Sequence, residues 1–178
     1  DQCRPKILNP EVLLPRSTFE VTEMEITNTG QLTWMTRSEE GELPFYVEQY
    51  RWDKWVRAGD VQGKGRNSSE NAYNFNVTPH SGENIVRIVQ IDHSGTKRSS
   101  KEMKFRSSLP RVTKVPTKVK SKISFLAEGI PAQTRYEIFD AYGNVVRKGV
   151  GSSVDCSNLL RGVYYINFDN TNEKFIKN

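Results

Sequence analysis

The feature that most constrains this chain is the period of its apolar residues. Short runs alternate at every second position, and no stretch sustains the spacing of an amphipathic helix. Phe19 to Thr27 alternates, with a slip of phase between Val21 and Met24 that predicts a bulge. Leu32-Thr33-Trp34 follows a turn at Asn28-Thr29-Gly30, and Phe45 to Tyr50 alternates again. Trp55 to Ala58, Tyr73 to Val77 and the longer run Ile85 to Ile91 come next. Asp92-His93-Ser94-Gly95 turns the chain, and Lys101 to Phe105 completes the series. Seven or so strands at this spacing are what a sandwich of about 100 residues requires. Trp34 is expected at its centre.

Between Arg106 and Lys122 the composition shifts to Ser, Pro, Lys, Thr and Val, and Pro110 and Pro116 discourage regular structure. A domain boundary is expected there. A second strand series follows: Ile123-Ser124-Phe125, Arg135 to Asp140, Val145 to Val150, Gly162 to Phe168, and Glu173 to Lys177. Within it Tyr164 and Ile166 should share one face, with Val163 and Tyr165 on the other. The expected organisation is an extended lead-in over 1–16, carrying three prolines, a sandwich over 17–108 and a smaller sandwich over 109–178. The fold class is all-β, two β-sandwich domains.

The net charge of +5 would point to nucleic acid only if it were clustered with aromatic residues. Lys and Arg are instead spread along both halves, with one concentration from Lys97 to Lys122 that reads as a solvated face. No nucleic-acid partner is expected, and no apolar run approaches the ~20 residues of a membrane helix. Cys3 and Cys156 are a candidate disulfide, one from each end of the chain, or two unrelated thiols. Asn67-Ser68-Ser69 and Asn76-Val77-Thr78 match the glycosylation triplet, a pattern common by chance.

Catalytic chemistry finds little support. Only His80 and His93 are present, neither at metal-ligand spacing from a second His or a Cys. Asp92-His93-Ser94 holds the letters of a triad, but consecutive turn residues cannot set a base between nucleophile and acid. Gly63-Lys64-Gly65-Arg66 lacks P-loop spacing. Ser38-Glu39-Glu40 and Glu42 read as a solvated hairpin tip rather than a calcium loop. No enzyme, cofactor or metal is expected. Tyr50 and Trp52, near Trp55, form a candidate aromatic patch for a sugar or peptide, weighed against simple hairpin packing.

The ordered segments Leu32-Thr33-Trp34-Met35-Thr36-Arg37-Ser38-Glu39, Phe45-Tyr46-Val47-Glu48, Tyr73-Asn74-Phe75 and Gly82 to Gly95 resemble a known pattern. They are similar to the fibronectin-type-III-like modules near the C-termini of secreted Bacteroidetes proteins. Ile85-Val86 stands where those modules usually carry paired tyrosines.

Tyr136 to Val146, Val154 to Ile166 and the closing Glu173-Lys174-Phe175-Ile176-Lys177 resemble the C-terminal sorting domain of type IX secretion substrates. The shared features are D-x-x-G, L-x-x-G-x-Y and a terminal K-x-x-K. Pro116-Thr117-Lys118 replaces the family's opening Asn-Pro pair.

That resemblance implies sorting-motif candidates at Gly143, Gly162, Tyr164, Lys174 and Lys177. It also implies export to the cell surface or medium, or retention in the periplasm were the signal inactive. The implied role is a non-catalytic spacer plus attachment domain, a monomer meeting outer-membrane secretion machinery. The alternative is an adhesion module binding a cell-surface glycan or peptide through the aromatic patch.

Overall fold

The computed structural model describes residues 17–65 and 70–178, all of them strand, turn or irregular chain. The lead-in, Cys3 and the Asn67 triplet therefore lie outside the described residues. No helix among the described residues is long and apolar enough to cross a membrane. The described residues divide into two compact units: one is formed by residues 17–49, 55–65, 70–78 and 85–105, the other by 50–54, 79–84 and 106–178.

The first unit holds most of eight strands, with residues 50–51, 54, 82–84 and 106–107 of them belonging to the second: β1 (Glu20–Ile26), β2 (Gln31–Arg37), β3 (Phe45–Arg51), β4 (Lys54–Val61), β5 (Asn71–Asn76), β6 (Gly82–Ile91), β7 (Lys97–Ser99) and β8 (Met103–Ser107). They form a three-stranded sheet in the order β1-β2-β5 and a second sheet in the order β4-β3-β6-β7, with β8 also on β6. This is the fibronectin-III-like sandwich the sequence pattern implied. The register shift in β1 falls between Val21 and Glu23, where the phase slipped. Trp34 is 1% exposed, stacked on Tyr73 at 5.4 Å and edge-on to Phe45 at 5.9 Å. Such aromatic pairs add about 0.5–1.5 kcal/mol each beyond the area they bury. The last strand is split in two after Ser99, where the Ser100 hydroxyl, in place of a backbone carbonyl, accepts the Ile88 amide at 3.0 Å.

Glu39 departs from expectation. Rather than sitting on a solvated tip it is buried, and its carboxylate accepts from Thr36 Oγ1 at 2.9 Å, from the Tyr73 hydroxyl at 2.8 Å and from Asn71 Nδ2. A buried carboxylate is tolerable only when its lone pairs are filled in this way. Burial, with the carboxylate beside it, pushes the Tyr73 hydroxyl well above the usual tyrosine range. Glu40 and Glu42 are exposed, as the solvated reading expects.

The second unit has nine further strands: β9 (Thr113–Val115), β10 (Lys118–Val119), β11 (Lys122–Ala127), β12 (Ile130–Pro131), β13 (Thr134–Asp140), β14 (Val145–Gly151), β15 (Ser153–Asp155), β16 (Gly162–Phe168) and β17 (Thr171–Lys177). One sheet runs β10-β17-β16-β13-β14; the other runs β12-β11-β15, with β9 also on β11. Ile123, Phe125, Ile138, Ile166, Phe168 and Phe175 fill the space between, all 1% exposed or less. The five long strands were legible. The short ones were not, since two or three residues cannot show a period. The proline-rich stretch expected to be irregular supplies β9 and β10, two short edge strands that Pro110 precedes and Pro116 separates, so neither contains a proline.

Candidate functional site

Register assembles the motif candidates of the second unit within one five-stranded sheet, all but Lys174 at or near one end of it. Gly162 opens β16 opposite Lys177, the last residue of β17; Tyr164 faces Phe175 and Tyr165 faces Lys174. On its other side Tyr164 faces Asp140, where β13 enters the turn holding Gly143. That turn is made by Asp140. Its Oδ1 accepts the backbone amides of Tyr142 and Asn144, each at 2.9 Å, and its Oδ2 accepts Asn144 Nδ2 at 3.0 Å. The bonds from Asn144 hold the Asp140 carboxyl below the usual range. Gly143 closes the turn with φ of 86°, a conformation that costs other residues about 1 kcal/mol or more.

Not every candidate presents itself to solvent. Tyr164 is buried, stacked on Phe175 at 5.5 Å, and donates its hydroxyl proton to the Leu160 carbonyl at 2.8 Å. Lys177 shares the inward face with Phe175, is 7% exposed, and turns its ammonium to the Asn178 carbonyl at 2.9 Å. Lys174, one residue out of phase, is exposed. Strand alternation thus separates two lysines that look equivalent in K-x-x-K.

A second feature escaped sequence reasoning. Asp169 follows β16, is 2% exposed and holds φ of 47°, a left-handed conformation that Asp tolerates better than most residues. Its carboxylate accepts Ser81 N at 2.8 Å, Ser81 Oγ, and Val112 N at 3.2 Å. Its amide donates to Thr134 Oγ1 at 2.8 Å, and its carbonyl accepts from the Arg51 guanidinium. Burial lowers Arg51 to about 10 against the opposing attraction of Asp169. In the sequence Asp169 was one polar letter in a turn of four, with no spacing to mark it.

His80 lies beside this cluster, buried, with Nδ1–H donating to the Ser81 carbonyl at 2.7 Å. Burial depresses its basicity, nearby Arg51 adds to that, and Asp169 opposes it. The folded unit therefore takes up this proton later than the unfolded chain does as pH falls. Stability from this group is complete above the ordinary value of 6.5 and is lost as pH drops below it. Urea midpoints at about pH 7.5 and about pH 5 are expected to differ less in His80→Gln than in the parent chain.

The aromatic patch is partly committed. Trp52 adopts φ of 56°, donates its indole N–H to the Phe168 carbonyl at 3.4 Å, and lies under the Arg51 guanidinium at 4.2 Å. Tyr50 is 37% exposed. The Trp55 ring is covered by the Arg87 guanidinium at 4.0 Å. Cys156 is fully buried in the second core, where burial raises its thiol above the ordinary range. Its candidate partner Cys3 lies outside the described residues.

Residues 115–178 match the family model of the secretion system C-terminal sorting domain. No curated protein matches the chain. Among solved structures, a tetra-tandem repeat from the extending region of a large adhesion protein is 14% identical. That match covers 89% of this chain and 46% of the other, with a TM-score of 0.32. The fibronectin(III)-like modules of Clostridium thermocellum CbhA are 11% identical over 90% of this chain and 93% of theirs, TM-score 0.28. The FN1-FN3 domains of chicken CNTN1 are 11% identical over 89% and 64%, TM-score 0.33. At such scores these neighbours add nothing to the topology above. The family match does: residues 115–178 are a type IX secretion C-terminal sorting domain, which directs the protein carrying it to the cell surface or beyond.

Proposed function

We propose that this chain is a delivery piece without catalytic activity, in which residues 17–108 act as a spacer and 109–178 as the address read by outer-membrane secretion machinery. The observation that carries the reading is the family match, supported by the register that sets Gly143 and Gly162 at one end of a single sheet, with Lys174 three residues in from that end. At that end Tyr142, Leu160 and Val145 are exposed at 93%, 81% and 52%. Apolar side chains displayed together mark interaction sites more often than solvated ends. Within this reading Gly143 and Gly162 set the backbone of the end, Tyr164 packs it, and Lys174 is the group a partner meets.

The test is a reporter fused ahead of the full chain, expressed with an inner-membrane export signal in a host with type IX secretion. The reporter is expected at the surface or in the medium with the full chain. It is expected in the periplasm when the chain stops after residue 108. Periplasmic retention of both would overturn the address.

A further inference from the structure

The outward face of the five-stranded sheet is unlike an ordinary solvated sheet face. In antiparallel sheets with one side on a core, the other side is normally polar. Here Val163 faces Ile176 across β16 and β17, and the next row runs Lys174, Tyr165, Phe139, Val145 across four strands, with the Phe139 ring under the Lys54 ammonium at 5.4 Å and the rest of the row open. Ile176, Tyr165 and Val145 are 43%, 40% and 52% exposed. They are β-branched or aromatic, so little rotamer freedom is lost when they are covered.

The charges around this row have one sign. Lys118 lies opposite Ile176, Lys174 is in the row, and Lys148 lies on β14 opposite Glu137. Among the described residues these three lysines reach no carboxylate. The face's one acid, Glu137, is neutralised by Lys54 at 2.6 Å. In residues 106–178 as a whole, Lys and Arg outnumber Asp and Glu two to one.

We propose that this face docks an acidic protein surface bearing apolar side chains, and that this is the contact through which the export partner holds the domain; the inference rests on the address reading above. Charge complementarity decides the occupant. A second copy of the chain meeting face to face would oppose Lys174 and Lys118 with their own equivalents, since a two-fold interface pairs a patch with itself. A membrane would be met by apolar tips at a loop or helix end, whereas Val163, Tyr165 and Ile176 project from the broad flat face of a sheet, among lysines. An acidic protein surface satisfies both the lysines and the flat apolar row.

The experiment places a benzoylphenylalanine photo-crosslinker at position 165 of the full chain, with position 122 on the other sheet as control, in the exporting host. Export of the same cells is measured in parallel. The expected result is a protein adduct from 165 and none from 122, with the adducted segment rich in Asp and Glu. Combining Lys118→Glu with Lys174→Glu is expected to reduce that adduct about fivefold or more, as charge reversal at a steered contact should. Adducts to lipid, or to a second copy of this chain, overturn the occupant. Normal export without an adduct at 165 overturns the face while leaving the address standing. Absent export overturns the address, and the adduct still decides the face.

Discussion

Asp169→Ala is expected to cost the second unit about 4 kcal/mol, enough to leave so small a sandwich near its unfolding limit. Three donors, Ser81 N, Ser81 Oγ and Val112 N, lose their acceptor in a buried place. Each such loss costs about 1–3 kcal/mol because the freed group finds no water. Arg51 stays buried and charged with less to offset it, and Ala tolerates φ of 47° poorly. Asp169→Asn keeps one oxygen and the backbone tolerance, so a loss of about 2 kcal/mol is expected. Hydrogen exchange resolved by peptide is the measurement. Protection should fall across β13, β16 and β17 in the Ala variant while β1, β2 and β5 keep theirs. Unchanged exchange in the second unit would show that the carboxylate does not hold these segments together.

Asp169 also shows what sequence reasoning can and cannot see. Strand period revealed the long strands because each has one face in a core: Leu32, Trp34 and Thr36 are buried alternately along β2, and Tyr164, Ile166 and Phe168 join the core along β16, where Asn167 between them is buried too. The bulge in β1 was visible as a slip of the same period. Buried polar hubs leave no such trace. Glu39 and Asp169 are each surrounded by loop-like letters, and what buries them arrives from far along the chain: Tyr73 for Glu39, Ser81 and Val112 for Asp169. The parallel pairing of β10 with β17 was hidden for a related reason, since no hairpin turn announces it. For the candidate site, the motif supplied the residues, and alternation could have foretold that Lys174 and Lys177 point to opposite faces.

The same alternation changes how the terminal residues should be tested. Deleting Lys174 to Asn178 is expected to abolish export, but for a structural reason. The deletion removes Phe175, a core residue at 1% exposure, and strips partners from Gly162 to Tyr165 and from Lys118 and Val119. Phe175→Ala alone should cost about 3–5 kcal/mol by opening a cavity and should lose export together with the fold. Lys174→Glu is the separating variant. Its side chain is exposed and outside the core, so the unfolding free energy from urea titration should move by no more than about 0.5 kcal/mol. If the lysine is read by the partner, surface reporter should fall at least tenfold in this variant with the fold intact. Export at the parent level would mean the machinery reads the shape of the sheet end, and the basic letter at 174 would be incidental.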